Sequence, residues 1–172
     1  VVLVLLFASS AASATDEGAL RVGSKRFTES YILAEILAQA GRDRGKAAVL
    51  FIDLDRLKPV NDALGHDVGD LLLKEVARRL LAVVMRRADT VSRLGGDEFV
   101  VLLQRINHEQ DAEVIARKII EALDAQFVIA DHDIRISASV GIAIFPSDGE
   151  EVRQLLKHAD LAMYAAKHEG GD

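Results

Sequence analysis

Apolar residues along the chain fall into runs that predict several β-strands. The run at residues 47–52 is continuous, which is typical of a strand buried on both faces of a sheet. The complete set of predicted strands lies at residues 47–52, 90–94, 99–103, 127–130 and 134–145. Gly95 and Gly96 separate the second strand from the third, and they predict a β-hairpin because a tight primed turn needs a positive φ at its centre.

Apolar residues spaced three and four apart predict three helices. Their inward faces are Leu72, Val76, Leu80 and Val83; Ala112, Ile115, Ala116, Ile119 and Leu123; and Val152, Leu155, Leu156, Ala159, Met163 and Ala166. Arg86 and Arg87 are expected to close the first helix. The third is expected over residues 150–168, ended by Gly170 and Gly171. Because strands and helices mix around a hairpin, we predict an α/β (α+β) fold with a mixed, largely antiparallel central sheet flanked by helices.

The first forty residues have a different character from the rest. Residues 1–14 form a short apolar run ending Ala-Ser-Ala, which is typical of a secretory signal peptide. Residues 15–41 contain Val-Gly-Ser-Lys-Arg-Phe-Thr-Glu and resemble the mature start of periplasmic binding proteins for quaternary-amine osmoprotectants. An amphipathic helix is expected within them, over residues 28–40. We therefore divide the chain into a leader at 1–14, a grafted segment at 15–41 and a working domain at 42–172.

Length and composition exclude several classes of protein. A chain of 172 residues with 50% hydrophobic residues is long and apolar enough to bury the core of one domain. It has no cysteine, which excludes disulfides, thiolate metal sites and a thiol nucleophile. Its net charge of -6 argues against binding to a nucleic acid polymer. An acidic chain can still bind nucleotides through a bound metal ion.

Two pairs of carboxylates suggest a cation site. Asp97 and Glu98 are adjacent at the bend of the predicted hairpin, where they repel each other and the turn needs neither. Asp53 and Asp55 follow the buried strand, and the two-residue period of a strand places both on one face. A divalent cation would explain both pairs. The alternatives are a solvated acidic hairpin tip and, for Asp53, a cap at the end of a strand.

Five motifs in order identify a family. They are residues 51–62, 65–70, 93–99 (Arg-Leu-Gly-Gly-Asp-Glu-Phe), 139–143 and 159–167. On these motifs residues 42–172 resemble the GGDEF family of diguanylate cyclases. The resemblance implies a fold related to the palm of polymerases and to nucleotidyl cyclases. It also implies condensation of two GTP into cyclic di-GMP and two pyrophosphates, by metal-assisted attack of a 3′-hydroxyl on an α-phosphate, with Mg²⁺ or Mn²⁺ as cofactor.

The resemblance assigns the metal and catalytic roles. The metal ligands are Asp53, the backbone carbonyl of Leu54, Asp97 and Glu98. Catalysis is carried by Asp97, Glu98 and Lys58. Divalent cations suit this step, because they neutralise phosphate charge and prefer hard oxygen ligands.

The resemblance also assigns substrate contacts. Asn61 and Asp70 match the positions that read the guanine edge, which adenine cannot satisfy. His66 is a further substrate contact, and Lys58 and Lys167 match lysines that contact phosphates. Taken without the family, Asn61 is a turn residue, Asp70 a helix cap and each lysine a solvated surface group.

Arg86 and Asp89 match an inhibitory site for the product, upstream of the hairpin. The fork of an arginine suits two-point contact with guanine or phosphate. Arg117 is expected to complete the site, with Lys118 as the alternative. Without the family, the pair is a basic helix end followed by an Asp at the start of a strand.

Partners and location follow from the same resemblance. One GTP per subunit implies a homodimer for catalysis, and phosphodiesterase or sensor domains are expected on the parent chain. The domain is expected in the cytoplasm, although the leader points outward. A non-catalytic domain that binds GTP or cyclic di-GMP is the alternative, favoured by the absence of the usual opening motif and by Gly171, which replaces an arginine.

Overall fold

The computed structural model describes residues 45–84, 86 and 88–169, together with two short strands near the start of the chain. In chain order the elements are β1 (Val4–Leu5), β2 (Arg21–Val22), β3 (Lys46–Leu54), α1 (Leu57–Leu64), α2 (His66–Val83), β4 (Thr90–Gly95), β5 (Glu98–Ile106), α3 (Glu109–Asp124), β6 (Phe127–Ile129), β7 (His132–Ile134), β8 (Ala138–Phe145) and α4 (Val152–Glu169). The helix predicted at residues 28–40, most of the leader and the glycines predicted to end the last helix lie outside the described residues.

The centre of the fold is a four-stranded sheet in the order β4-β5-β3-β8. All three strand pairings in it are antiparallel. The predicted fold class, a largely antiparallel sheet flanked by helices, is therefore confirmed. None of the described helices has both the length and the apolar character needed to cross a membrane.

Alternation along β3 builds a core on each face of the sheet. Ala48, Leu50 and Ile52 are fully buried in the larger core, which α2 and α3 cover. Val49 and Phe51 point to the other face, where they pack with the buried residues of α4. Both faces of β3 are thus buried, as its continuous apolar run predicts.

Three sequence expectations differ from the structure. The strand predicted at 134–145 is two strands, since β7 ends at Ile134 and pairs with β6, whereas β8 begins at Ala138 and pairs with β3. Between them Ile136 is 3% exposed and turns into the core. Helix α2 ends at Val83, so Arg86 lies beyond the helix that it was expected to close. Ala166, expected to face inward, is exposed.

Helix α1 was not predicted, because Lys58, Asn61 and Asp62 lie close before the polar residues at 65–70 and together suggest a polar connecting segment. Only Leu57 is buried, and Val60 and Leu64 pack against the core from the same side. Three apolar residues three and four apart are enough for two helical turns. Gly65, with φ 88°, then separates α1 from α2.

Arg79 on α2 caps the C-terminal end of α3. Its guanidinium donates hydrogen bonds to the carbonyls of Ala122 (2.8 Å), Ala125 (2.5 Å) and Gln126 (2.7 Å). The same group lies 3.6 Å from the ring centroid of Phe127. These carbonyls end a helix and have no partner within it, so one side chain satisfies all three.

Replacing Arg79 with methionine is expected to lower the free energy of unfolding by about 2–3 kcal/mol, because three carbonyl partners and a cation–π contact are lost together. Arg78→Met is the matched control. Arg78 is its neighbour and pairs with Glu75 at 2.6 Å, but on the exposed surface. Its loss is expected to change stability by less than about 0.5 kcal/mol. Urea denaturation of both variants measures the difference, and equal losses would show that the cap contributes nothing.

Candidate active site

Strand register brings the two carboxylate motifs together. Asp53 lies one residue before the end of β3, and its Cα partner on β5 is Glu98, the first residue of that strand. The backbone N–H of Leu54 donates to the carbonyl of Asp97 at 3.1 Å, which joins the end of β3 to the hairpin turn. Residues far apart in sequence thus meet at one edge of the sheet.

The hairpin turn has the geometry that its glycines predict. Gly95 and Glu98 pair across the turn, which leaves Gly96 and Asp97 at its centre. Gly96 has φ 55°, a backbone conformation that residues with side chains disfavour. Arg93 braces the turn, because its guanidinium donates two hydrogen bonds to the Gly96 carbonyl, from Nε at 3.0 Å and from Nη2 at 2.7 Å. Asp97 is therefore presented on a braced turn, partly exposed to solvent.

Lys167 on α4 contacts two carboxylates, that of Asp53 in β3 and that of Asp55 just after the strand. Its Nζ lies 2.6 Å from Asp53 Oδ1 and 3.4 Å from Asp55 Oδ1. The other oxygen of Asp55 accepts a hydrogen bond from Ser137 Oγ at 2.8 Å. The backbone N–H of Asp55 also donates to the Ser137 carbonyl at 2.9 Å, so Asp55 is fixed at both ends.

Charges in this cluster perturb one another. Partial burial raises the pKa of Asp53, and the nearby carboxylates of Asp97 and Asp55 raise it further, against the lowering effect of Lys167. The hydrogen bond to Asp53 raises the pKa of the Lys167 ammonium, which keeps it charged. The site therefore concentrates negative charge where a cation is favourable.

A cavity of about 300 Å³ adjoins the cluster. Asp55, Ser137 and Lys167 form its polar side, and Ile120 and Ala166 are among its apolar walls. The cavity lies at the start of β8, between α3 and α4. It gives the Lys167 side chain open space next to its present position.

The residues matched to guanine lie on the two helices that follow β3. Asn61 is on α1 and partly buried, and Asp70 is exposed on α2. A Cβ at Gly69 would lie only 1.7 Å from Asn61 Oδ1, so the Asn61 amide packs directly against the backbone of α2. His66, the first residue of α2, and Lys58, in the first turn of α1, are both exposed.

Two of the residues matched to a product site, Arg86 and Asp89, precede β4 at the end of that strand away from the hairpin turn. Arg86 is exposed, and its carbonyl accepts a hydrogen bond from the Asp89 N–H at 3.0 Å. Asp89 Oδ1 accepts from the Gln104 N–H at 2.8 Å. Burial raises the pKa of Asp89, against the opposing effects of this hydrogen bond and of Arg86. Arg117 lies on α3 and pairs with Glu113 at 3.6 Å.

A family model described as "Diguanylate cyclase, GGDEF domain" matches residues 21–172. The chain belongs to the GGDEF family. The match begins upstream of residue 42, where we place the start of the domain, and that boundary stays a prediction. The resemblance of residues 15–41 to periplasmic binding proteins is likewise untested.

Known GGDEF proteins resemble the chain in sequence and in structure. The bifunctional diguanylate cyclase/cyclic di-GMP phosphodiesterase MucR of Pseudomonas aeruginosa is 49% identical over 138 residues, which is 80% of this chain and 20% of MucR. The GGDEF domain of TpbB (YfiN) from the same species matches with a TM-score of 0.79 at 41% identity, covering 84% of this chain and 89% of that domain. The active GGEEF domain of a diguanylate cyclase from Vibrio cholerae gives 0.76 at 26% identity, covering 84% and 91%.

The GGDEF family generally needs a divalent metal, and the cluster fits one in part. Within the described residues, no three His, Asp or Glu side chains are gathered closely enough to hold a metal unaided. Its oxygen donors are nevertheless the hard ligands that Mg²⁺ and Mn²⁺ prefer, and the ammonium of Lys167 already lies against Asp53 where a cation would bind. Backbone and substrate oxygens would have to complete the coordination.

Sequence reasoning missed three features of this GGDEF site. The contact of Lys167 with Asp53 and Asp55 was not foreseen, although the spacing of the two acids placed them on one face. Gly69 was noted only as part of a motif, and its role as the surface against which Asn61 packs needs the crossing of α1 and α2. Ser137, which fixes Asp55, carries no sequence signal of its own.

Proposed function

We propose that this chain is the diguanylate cyclase domain of a longer protein. It would condense two GTP into cyclic di-GMP and two pyrophosphates, the 3′-hydroxyl of one GTP attacking the α-phosphate of the other. The observation that carries the proposal is the register that sets Glu98 opposite Asp53 and joins Leu54 to Asp97. It unites both carboxylate motifs beside the helices that bear the guanine residues.

The proposed metal ligands are Asp53, the carbonyl of Leu54, Asp97 and Glu98. When bound, Mg²⁺ or Mn²⁺ would neutralise phosphate charge and lower the pKa of the attacking hydroxyl. Asp97, which lies on the braced turn with Glu98 next to it in sequence, would accept the proton of that hydroxyl. Lys58 and Lys167 would neutralise the phosphates that leave as pyrophosphate.

Selection for GTP is assigned to the α1–α2 pair. The Asn61 amide can both donate and accept, and the Asp70 carboxylate can accept from the N1–H and N2–H of guanine. Adenine would leave these groups unpaired, which is what makes such discrimination strong. His66 lies at the start of α2 beside them and would contact the same nucleotide.

Catalysis requires two such domains, because each holds one GTP and the reaction joins two. We therefore propose a homodimer whose sites face each other. MucR, which is bifunctional by name, is five times the length matched here, so a phosphodiesterase or sensor domain on the parent chain belongs to the proposal. GTP as substrate places the working domain in the cytoplasm.

Product inhibition is assigned to Arg86 and Asp89, with Arg117 as a third contact. Arg86 is exposed, whereas Asp89 is anchored by the N–H of Gln104. A fixed carboxylate and an exposed guanidinium close to each other can pair with the guanine of cyclic di-GMP from two sides. Accumulated product should slow the wild-type reaction more than that of Arg86→Ala.

The test is incubation of the purified chain at high concentration with GTP and Mg²⁺, followed by chromatography for cyclic di-GMP. ATP in place of GTP is the control for base selection and should give no cyclic product. If calorimetry detected binding of GTP or cyclic di-GMP but no product formed, the non-catalytic regulatory domain would replace the cyclase as the proposed function. If the chain showed no turnover and bound neither nucleotide, both the cyclase and the regulatory-domain proposals would be contradicted.

Gly69→Ala is expected to raise the KM for GTP by about tenfold, because the new Cβ would displace the Asn61 amide that it meets at 1.7 Å. The free energy of unfolding should fall little, since alanine favours a helix over glycine by about 1 kcal/mol. Steady-state kinetics and thermal unfolding separate the two effects.

Asn61→Ala is the matched variant and should raise the KM for GTP by a similar factor. Combining it with Gly69→Ala should add little, since both act on one amide. A Gly69→Ala enzyme with unchanged KM would remove Asn61 from guanine recognition and leave it as a packing residue.

A further inference from the structure

Lys167 has a position that a phosphate-binding lysine does not need. Its ammonium makes a 2.6 Å ion pair with Asp53, one of the proposed metal ligands, and lies 3.4 Å from Asp55, which is not among those ligands. The side chains of Asp53 and Asp55 are only 16% and 12% exposed. Two largely buried carboxylates on one face need a counter-charge, and Lys167 supplies it.

We propose that Lys167 is a built-in counter-ion of the metal site, and that a divalent cation binds Asp53 by displacing it onto Asp55. The inference rests on the proposed function, since it takes Asp53 as a metal ligand. Lys167 and the cation then compete for the same carboxylate. Once the cation is in place, Lys167 keeps only its longer contact with Asp55, from which the phosphates of GTP can then draw it.

Asp55 is built to receive the displaced ammonium. Ser137 Oγ donates a hydrogen bond to Asp55 Oδ2 at 2.8 Å, and the Asp55 backbone N–H donates to the Ser137 carbonyl at 2.9 Å. These two bonds leave Asp55 Oδ1 facing Lys167. The move is short, because Nζ already lies 3.4 Å from that oxygen. The adjoining cavity of about 300 Å³, lined by Asp55 and Lys167, gives the side chain room to turn.

Two consequences distinguish this arrangement from a lysine that only contacts phosphate. The affinity of the site for a divalent cation is held below what its oxygens alone would give. The cation and the phosphates of GTP also bind with positive coupling, because the first releases the side chain that the second uses.

The experiment measures Mn²⁺ binding to the whole chain without nucleotide, by electron paramagnetic resonance and by calorimetry. Lys167→Met is expected to bind Mn²⁺ at least about tenfold more tightly than the wild type, because a competing charge within 4 Å is gone. Lys167→Arg restores a cation and should return the affinity towards the wild-type value. Lys157→Met is the matched control, since Lys157 is exposed on the same helix about 15 Å further from the site.

A second readout does not depend on affinity. Mg²⁺ should shift the side-chain ¹⁵N resonance of Lys167 in the wild type, as its partner changes from Asp53 to Asp55. Equal Mn²⁺ affinities for wild type and Lys167→Met, or an equal gain in Lys157→Met, would overturn the inference while leaving the cyclase proposal intact. Absence of Mn²⁺ binding in every variant would overturn the metal site itself. If the Mn²⁺ affinities were as expected but the chain formed no cyclic di-GMP, only the proposed activity would be contradicted.

Discussion

Asp97→Ala is expected to lower the rate of cyclic di-GMP formation by at least about a thousandfold, with the fold unchanged. The side chain is a proposed metal ligand and proton acceptor, so one substitution removes two contributions to the transition state. The backbone of Asp97, and not its side chain, stabilises the fold, because its carbonyl accepts a hydrogen bond from the N–H of Leu54. Alanine keeps that hydrogen bond. Chromatography of the products and thermal unfolding together measure the separation of activity from stability.

Two further variants make the Asp97 result specific. Asp97→Asn keeps the shape and removes the charge, and it should lose nearly as much activity as alanine. Asp133→Ala removes an exposed acid from β7, away from the site, and should keep the wild-type rate. An Asp97→Ala enzyme that retains a tenth of the wild-type rate would show that Asp97 is neither ligand nor base.

The meeting of the carboxylates was largely predictable from local sequence. Continuous apolar residues predicted β3, and the glycines predicted the hairpin turn, so acids at the ends of both were expected at neighbouring positions. Their register could not be predicted from either strand alone. Glu98 faces Asp53 because the whole length of β5 packs its alternate residues into two cores, which is a property of the assembled sheet.

Contacts that depend on helix placement were not predictable. Lys167 and Asp53 are 114 residues apart, and nothing in the spacing of either motif indicates that they touch. The end of α2 was placed too late for a similar reason. Arg86 follows the helical residues closely enough to look like their last turn, but the chain leaves the helix at Val83 to enter the hairpin.

Gly141→Ala is expected to lower the free energy of unfolding by about 3 kcal/mol or more, because a single added methyl group has no space. Gly141 lies midway along β8, an edge strand of the sheet, and pairs with Phe51 on β3. A Cβ there would lie 2.0 Å from the Ala159 carbonyl oxygen and 2.2 Å from the Met163 nitrogen, both in the backbone of α4. A backbone cannot rotate away as a side chain can, so the whole helix would have to move off the sheet.

That movement should also reach the proposed active site, since α4 carries Lys167. The 2.6 Å contact with Asp53 exists because Gly141 lets α4 lie directly on β8, and a helix displaced by about 1 Å would break it. Gly65→Ala is the contrasting control, because a Cβ there meets nothing within 4 Å and the cost, about 1–3 kcal/mol, comes only from a backbone conformation (φ 88°, ψ 159°) that glycine alone adopts readily. Urea denaturation compares the two glycines. If Gly141→Ala lost no more stability than Gly65→Ala, α4 would accommodate the added methyl group, and the placement of Lys167 would not depend on Gly141.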